Sequence, residues 1–169
     1  MDLVVSYKNT SNLLTDARQI IDKLLGTISL YKRIENFIQN DLNLNLYYSD
    51  TEAKVEDRIL KQLEKVFGKE NVDSQHYVGG NHGLKCDIDL YNGKCGIEIK
   101  LADQLENAGN TQRALGQVVY YSHCTYKEND LILLVVGTSA ELSPKLKELK
   151  EIINNIDGIH FIYKQAIKK

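Results

Sequence analysis

The chain has 169 residues, of which 43% are hydrophobic, and this length allows one substantial core without requiring a second domain. Its formal net charge of −2 lacks the positive excess that marks many nucleic-acid-binding proteins, so bulk charge alone does not indicate such a partner. Three cysteines without paired spacing predict reduced thiols, and no apolar run is long enough to cross a bilayer. We therefore expect a cytoplasmic protein with no membrane partner.

The first 48 residues are predicted to form an N-terminal helical extension. Apolar residues recur at alternating spacings of three and four between Leu14 and Ile38, as they do on one face of a helix. This helical layer either packs on the rest of the domain or contacts a second copy of the chain or a partner protein. Residues 41–50 are rich in asparagine and alternate weakly, which predicts a connector with an edge strand.

A second helix is predicted to open the main domain, which spans residues 49–169. Ser49 and Glu52 have the spacing of a capping box, and an apolar face follows over residues 55–67. Glu56 lies inside this apolar face, so we expect its carboxylate to point toward the sheet, where it needs a partner or a metal ion. The alternative is a carboxylate at the rim of the face that pairs with a nearby lysine.

A first core strand is predicted over residues 71–78, and a glycine-rich loop over residues 79–83 follows it. Glycine-rich backbone can approach a phosphate closely, although the lysine and the following helix of a P-loop are missing. An ordinary turn is therefore the alternative. His82 in this loop is either solvated or part of a site.

Residues 86–100 read CDIDLYNGKCGIEIK and predict a β-hairpin. The Asn-Gly pair at 92–93 is a strong signal for a two-residue turn, because a type I′ turn needs positive φ at both central positions. The resulting register places Asp87 directly opposite Glu98. It also gives three further pairs, namely Leu90 with Cys95, Asp89 with Gly96, and Ile88 with Ile97.

The predicted hairpin has one apolar face and one acidic face, because side chains alternate along a strand. The apolar face comprises Cys86, Ile88, Leu90, Cys95, Ile97 and Ile99. The acidic face carries Asp87, Asp89, Glu98 and Lys100. Directly opposed carboxylates destabilise a hairpin by up to about 1 kcal/mol, so we expect a cation between them. Mg²⁺ is the obvious candidate, since one or two carboxylates usually hold it. Solvated acids in an ordinary α/β protein are the alternative.

A third helix is predicted to begin near Thr111. Arg113, Gln117 and Tyr121 follow one another at intervals of four residues and so form a single row along that helix. A cation, an amide and a phenol in line suit contacts with a phosphate or a base, whereas a plain surface row is the alternative. The remaining predicted elements are a buried strand over 130–138, a helix that starts at Ser143-Pro144, a strand over 159–163 and a frayed basic tail over 164–169.

The order of helix, three strands, helix and strand from residue 49 resembles the PD-(D/E)XK phosphodiesterase superfamily, the restriction-endonuclease-like nucleases. Cys86-Asp87 stands where this family has Pro-Asp, and Glu-Ile-Lys at 98–100 matches its E-x-K element. The cysteine in place of proline is a departure from the motif that touches no ligand role. The resemblance covers residues 50–140.

Two further elements carry the resemblance. Gln117 and Tyr121 look like the Q-x-x-x-Y element of the exonuclease-type branch. Glu56 matches a glutamate that many members carry on the helix before the first core strand. The resemblance implies an α/β fold with a restriction-endonuclease-like core, in which helices flank a mixed β-sheet of αβββαβ order.

The resemblance also implies a metal-dependent nuclease that hydrolyses phosphodiester bonds of nucleic acid, DNA rather than RNA, with Mg²⁺ or Mn²⁺. It assigns catalytic roles to Asp87, Glu98, Lys100 and Gln117. It assigns the metal to Glu56, Asp87, Glu98 and the backbone carbonyl of Ile99. It assigns substrate positioning to Arg113 and Tyr121, with Asp89 as a supporting candidate. The alternative is a nuclease-like fold without turnover that binds nucleic acid or protein as a regulatory subunit.

Overall fold

The computed structural model describes residues 29–79 and 83–169, which form an α/β fold. Its helices in chain order are α1 (Leu30–Asn36), continued by a π-helical turn (Phe37–Asp41), α2 (Glu52–Phe67), α3 (Ala108–Cys124) and α4 (Pro144–Asn154). Its strands are β1 (Asn45–Leu46), β2 (Val72–Tyr77), β3 (Lys85–Leu90), β4 (Cys95–Leu101), β5 (Asp130–Gly137), β6 (Ile159–Gln165) and β7 (Ile167–Lys168). Short 3₁₀ turns cover Lys69–Asn71 and Gln104–Glu106.

Strands β2 to β6 form one mixed five-stranded sheet in sequential order. Its first three strands are antiparallel, because tight connections join them, whereas β4, β5 and β6 run parallel across the helical crossovers α3 and α4. The predicted mixed sheet flanked by helices is therefore confirmed.

The prediction of a frayed C-terminal tail is wrong. Strand β7 pairs in parallel with β1, and the backbone N–H groups of Ile167 and Lys169 donate to the carbonyl oxygens of Leu44 and Leu46. The predicted edge strand in the connector is thus present, and it uses the tail as its partner.

Helices cover both faces of the sheet. On one face, α1 with its π-helical turn and α2 bury Ile34, Ile38, Val55, Ile59, Leu63 and Phe67 against Ile88, Ile97, Ile99, Ile132 and Leu134 of the strands. On the other face, α3 and α4 bury Ala114, Val118, Tyr121, Leu146, Leu149 and Ile153 against Leu131, Leu133 and Val135. The central strand β5 is buried on both faces, as its continuous apolar run predicted.

Residues 29–48 share the first of these cores with α2 and the sheet. The proposed division into an extension over 1–48 and a domain over 49–169 stays a prediction, since residues 1–28 lie outside the described part of the chain. Among the described residues, no helix is both long and apolar enough to span a bilayer.

The predicted start of α4 agrees with the structure, whereas the predicted start of α3 differs from it. Helix α4 begins as predicted, with Pro144 in its first turn and the Ser143 hydroxyl accepting from the Leu146 N–H. Helix α3 begins earlier than Thr111, because the Asn107 side chain caps it.

The predicted capping box before α2 is wrong. Thr51 is the residue before the helix, and Glu52, its first helical residue, directs its carboxylate to Lys100 instead of to the helix start.

The hairpin register is confirmed at all three pairs from Leu90–Cys95 to Ile88–Ile97. The turn itself differs from a two-residue type I′ turn. Tyr91 and Asn92 both have φ of 55° and Gly93 has φ of 83°, and the Lys94 N–H donates to the Leu90 carbonyl oxygen. Tyr91 is the additional residue with positive φ, and its N–H donates to the Asn71 carbonyl oxygen, which fixes its position.

Candidate functional site

The candidate site lies where β3 and β4 separate. Their ladder ends at the pair Ile88–Ile97, one residue before the predicted pairing of Asp87 with Glu98. In place of a regular ladder bond, Asp87 Oδ2 accepts a hydrogen bond of 2.7 Å from the Ile99 N–H. The two strands therefore open at this point, and the Asp87 carboxylate lies against the backbone of β4.

Lys100 is the centre of the polar contacts at this opening. Its Nζ atom lies 2.8 Å from Glu98 Oε1, 3.0 Å from the Ile99 carbonyl oxygen and 3.4 Å from Glu52 Oε2. The side chain of Glu98 is only 1% exposed and that of Lys100 only 13%. A single ammonium group thus connects β4 with the first turn of α2.

Burial raises the pKa of both acids in the opening. The pKa of Asp87 rises to about 6 because burial disfavours the charged form, and the Lys100 ammonium and the Ile99 N–H offset only part of this effect. The pKa of Glu98 rises to about 7 through burial and the neighbouring charge of Asp87. Burial acts to lower the pKa of Lys100, but the charges of Glu98 and Asp87 outweigh it, so the net pKa is raised.

One oxygen of this cluster is buried without a partner. Glu98 Oε2 has no hydrogen bond within the described residues, although it belongs to a carboxylate that Lys100 contacts through Oε1. A buried carboxylate oxygen without a donor is costly, so this atom is suited to a cation or to a water molecule.

Glu56 lies beside this cluster without contacting Lys100. It is close enough for its charge to raise the pKa of Asp87, and its Oε1 accepts a hydrogen bond of 2.9 Å from Gln75 Nε2. Gln75 has φ of 55° inside β2, a backbone conformation that is rare for a residue with a side chain. Glu56 is partly buried, and its hydrogen-bond partner is Gln75 of β2 instead of the lysine of the alternative reading.

Glu52 is the site residue that sequence reasoning missed. The sequence predicts a capping role for Glu52, yet its carboxylate contacts Lys100 and its charge raises the pKa of both Asp87 and Glu98. The signal was available, because Glu52 precedes Glu56 by four residues and therefore lies on the same side of α2.

Two members of the predicted row on α3 reach the same site. Arg113 and Gln117 line a cavity of about 200 Å³ together with Lys100 and Glu52. Gln104, Leu105 and Asn110 complete the lining. Gln117 Oε1 is buried and has no hydrogen-bond partner within the described residues. Two of the three residues of the row therefore line the same cavity as Lys100 and Glu52, and their contact with a phosphate or a base stays a prediction.

Tyr121 occupies a different position from the one its predicted substrate contact requires. Its side chain is buried, its hydroxyl donates to the Lys85 carbonyl oxygen at 2.9 Å, and burial raises its pKa to about 12. The same hydroxyl accepts a bond of 3.3 Å from Gln117 Nε2. Tyr121 is thus placed to orient Gln117, whereas Gln117 and Arg113 line the cavity.

Two other candidates do not join the site. Asp89 is buried at the base of the hairpin turn, where it accepts hydrogen bonds from the Gly93 N–H and from the Tyr126 hydroxyl. Cys86 departs from the predicted apolar face, because it packs in the core under α3 and its thiol donates to the Ile97 carbonyl oxygen. His82 lies outside the described residues.

The side chains of the described residues include no group of three or more His, Cys, Asp or Glu arranged to hold a metal ion. In the opening between β3 and β4, the Lys100 ammonium lies against the oxygen atoms of Glu98, Glu52 and Ile99. The oxygen donors there are nevertheless of the kind that Mg²⁺ and Mn²⁺ prefer. Comparisons of the chain with protein-family models, with curated proteins and with solved structures found no match.

Proposed function

We propose that this protein is a metal-dependent nuclease of the PD-(D/E)XK superfamily with a restriction-endonuclease-like core, and that it hydrolyses phosphodiester bonds of DNA rather than RNA. The observation that carries the proposal is the meeting of Asp87, Glu98 and Lys100 at the opening between β3 and β4. The strand order around them supports it, since an antiparallel set of three strands continues into a parallel strand after a helix.

The residues of the opening fit a divalent cation. The carboxylates of Asp87 and Glu98 and the carbonyl oxygen of Ile99 would hold the cation. Glu98 Oε2, which has no hydrogen-bond partner among the described residues, would gain the cation as its partner. Glu56 or Glu52 would complete the shell through water. When bound, Mg²⁺ or Mn²⁺ supplies an activated water and charge stabilisation at the scissile phosphate.

Lys100 supplies a fixed positive charge beside the reacting phosphate. Its raised pKa keeps the ammonium protonated at neutral pH, so it remains a hydrogen-bond donor to the attacking water and to developing negative charge. Its contacts with Glu98 and Glu52 hold it in position before substrate binds.

Gln117 and Arg113 bind the substrate strand from the α3 side. The Tyr121 hydroxyl orients the Gln117 amide, whose Oε1 has no hydrogen-bond partner within the described residues and can accept one from substrate or from water. The guanidinium of Arg113 lines the same cavity and can meet a phosphate in a bidentate arrangement.

The test is cleavage of labelled single-stranded DNA, duplex DNA and RNA in Mg²⁺, in Mn²⁺ and in chelator. We expect cleavage only with metal, and we expect Asp87→Asn and Lys100→Ala to lower the rate by about 100-fold or more. Lys94→Ala is the matched control, because Lys94 lies exposed in the hairpin turn outside the site.

Cleavage that persists in chelator and in Lys100→Ala would overturn the proposed mechanism. Binding of nucleic acid without cleavage under any metal would instead identify the alternative, a nuclease-like fold that acts as a binding subunit.

A further inference from the structure

A second and larger cavity adjoins the candidate site. It has a volume of about 490 Å³, within the range of pockets that bind small molecules. Leu101 and Ala102 at the end of β4, and Val136 and Gly137 at the end of β5, form part of its lining. The carboxyl ends of parallel strands are where open α/β sheets bind their ligands, so the position itself favours a binding role.

The two cavities share one segment of chain. Lys100 lines the smaller cavity and Leu101 lines the larger one, and consecutive α-carbons are only about 3.8 Å apart. The 3₁₀ turn that follows β4 divides them, with Gln104 and Leu105 on the smaller side and Glu106 on the larger. Lining residues that are neighbours in the chain, Lys100 with Leu101 and Gln104 with Asp103, bring the two cavities to the same end of β4, within reach of one nucleic-acid strand.

Exposed aromatic rings lie at the larger cavity. The ring of Tyr48 is fully exposed and that of Tyr47 is about half exposed, at 47%. Arg58 holds this segment, because its guanidinium contacts the Asn45 carbonyl oxygen and lies 5.6 Å from the Tyr47 ring. Exposed aromatic rings beside a basic groove are the usual platforms on which unpaired bases stack.

The charged groups in the lining argue against a phosphate in this cavity. The lining contains four acids, Asp50, Asp103, Glu106 and Glu141, and one basic residue, Lys168. Arg58, which lies outside the lining, contacts the carboxylate of Asp50. Carboxylates repel a phosphate but accept hydrogen bonds from the amino groups of bases.

Two of these carboxylates each have one oxygen that can accept a hydrogen bond from a ligand. Asp103 accepts from the Gln104 N–H through Oδ1, and Glu106 accepts from the Ser143 hydroxyl through Oε1. Within the described part of the chain, the second oxygen of each has no hydrogen bond to protein.

We propose that this cavity binds an unpaired nucleobase that carries an exocyclic amino group, adenine, cytosine or guanine, in the strand whose phosphate lies at Lys100. The inference rests on the proposed nuclease function and deepens it, because a base can enter the cavity only when it is unpaired. The substrate is therefore single-stranded nucleic acid or a single-stranded end. Tyr48 supplies the stacking surface, and Asp103 and Glu106 accept from the amino group.

The test measures binding by fluorescence anisotropy, with Ca²⁺ in place of a metal that supports cleavage. The probes are labelled oligo(dT) of twelve nucleotides and the same oligonucleotide with one central dA. We expect the dA-containing strand to bind several-fold more tightly, and Tyr48→Ala to weaken its binding by about 10-fold. Tyr77→Ala is the matched control, because Tyr77 is an exposed tyrosine of β2 outside the cavity. The double variant Asp103→Ala, Glu106→Ala, which removes both acceptors, should lose the preference for dA.

Equal binding of the two strands by the wild-type chain, or equal effects of Tyr48→Ala and Tyr77→Ala, would overturn the inference. Its failure is distinguishable from failure of the proposed function by a cleavage assay on the same strands. Metal-dependent cleavage without a base preference would disprove only the base site. If the chain never cleaves but shows a base preference that Tyr48→Ala abolishes, the base site stands and the nuclease function is disproved.

Discussion

At the scale of single residues, carboxylates outnumber ammonium groups at the candidate site. Asp87, Glu98 and Glu52 surround one ammonium, that of Lys100, in a largely buried setting. Burial raises the pKa of the first two acids, so the fold is most stable when they hold protons. Carboxylates whose pKa values are raised by burial are common at functional sites.

This imbalance predicts that stability falls as pH rises. In the folded state Glu98 titrates at about 7 and Asp87 at about 6, above their usual values of 4.5 and 3.8. The folded protein therefore binds more protons than the unfolded chain between about pH 4 and 7, and the free energy of unfolding falls across that window. Glu98→Gln removes one of the two charges, so at pH 8 in chelator we expect it to be more stable than wild type by on the order of 1 to 2 kcal/mol.

Urea unfolding at pH 5 and pH 8 measures this difference. The gap between variant and wild type should shrink at pH 5, where both acids are largely protonated in the folded protein. A gap that is the same at both pH values would contradict the predicted titration of Glu98.

At the scale of elements, the hairpin is positioned by close packing beneath the end of α3. Gly96 lies on the acidic face of β4, next to the buried ring of Tyr126, whose hydroxyl donates to Asp89. Asp89 in turn accepts from the Gly93 N–H in the turn. One tyrosine thereby connects the turn, the strand and the segment after α3, and this connection sets the position of Glu98 two residues further along β4.

Gly96→Ala tests this connection. An added Cβ atom would lie 2.5 Å from Tyr126 Cζ and 2.8 Å from Leu131 Cδ1, and neither buried group can move away cheaply. We expect a loss of about 1 to 3 kcal/mol in the free energy of unfolding, as for other overpacked cores.

Gly116→Ala is the control for this substitution. Gly116 lies in α3 with no atom within 4 Å of an added Cβ, so alanine should stabilise the helix by about 0.5 to 1 kcal/mol. Urea unfolding curves of the two variants should therefore shift in opposite directions, and a neutral Gly96→Ala would show that the tyrosine contact is not tight.

At the scale of the whole molecule, the fold brings the two layers of helices to one opening in the sheet. Helix α2 contributes Glu52 and Glu56 from one side, and α3 contributes Arg113 and Gln117 from the other. The strands between them supply Asp87, Glu98 and Lys100. The larger cavity continues the opening along the carboxyl ends of β4 and β5.

Metal binding should therefore stabilise the whole fold. A cation that binds only the folded chain raises the melting temperature by an amount set by its concentration and affinity, and we expect several degrees in about 10 mM Mg²⁺ or Mn²⁺. The shift should be larger at pH 8 than at pH 6, because protons compete with metal for Asp87 and Glu98.

Asp87→Asn should abolish this shift, whereas Asp73→Asn, an exposed acid on β2, should retain it. Equal shifts in the two variants, measured by thermal unfolding, would show that the metal binds elsewhere.

The sequence by itself determined the hairpin register, the helical row that includes Arg113 and Gln117, and the start of α4. The Asn-Gly turn and the strict alternation around it were enough to predict the register of β3 and β4, because a one-residue slip would move every apolar side chain to the wrong face. The spacing of four residues put Arg113 and Gln117 in one row, and Ser143-Pro144 marked the start of α4. These features depend on neighbours along the chain, so they could be read without the fold.

Only the tertiary structure decided which partners the site residues have. Glu52 and Lys100 are 48 residues apart, and Tyr121 reaches the backbone of Lys85 across 36 residues. The pairing of β7 with β1 likewise joins segments that lie more than 100 residues apart, Asn45 with Ile167 and Leu46 with Lys168. Such contacts follow from the packing of helices on the two faces of the sheet, and local propensity carries no information about them. The ladder between β3 and β4 also ends one residue before the predicted Asp87–Glu98 pair. It ends there because the Ile99 N–H donates to the Asp87 carboxylate instead of to a backbone carbonyl oxygen of β3.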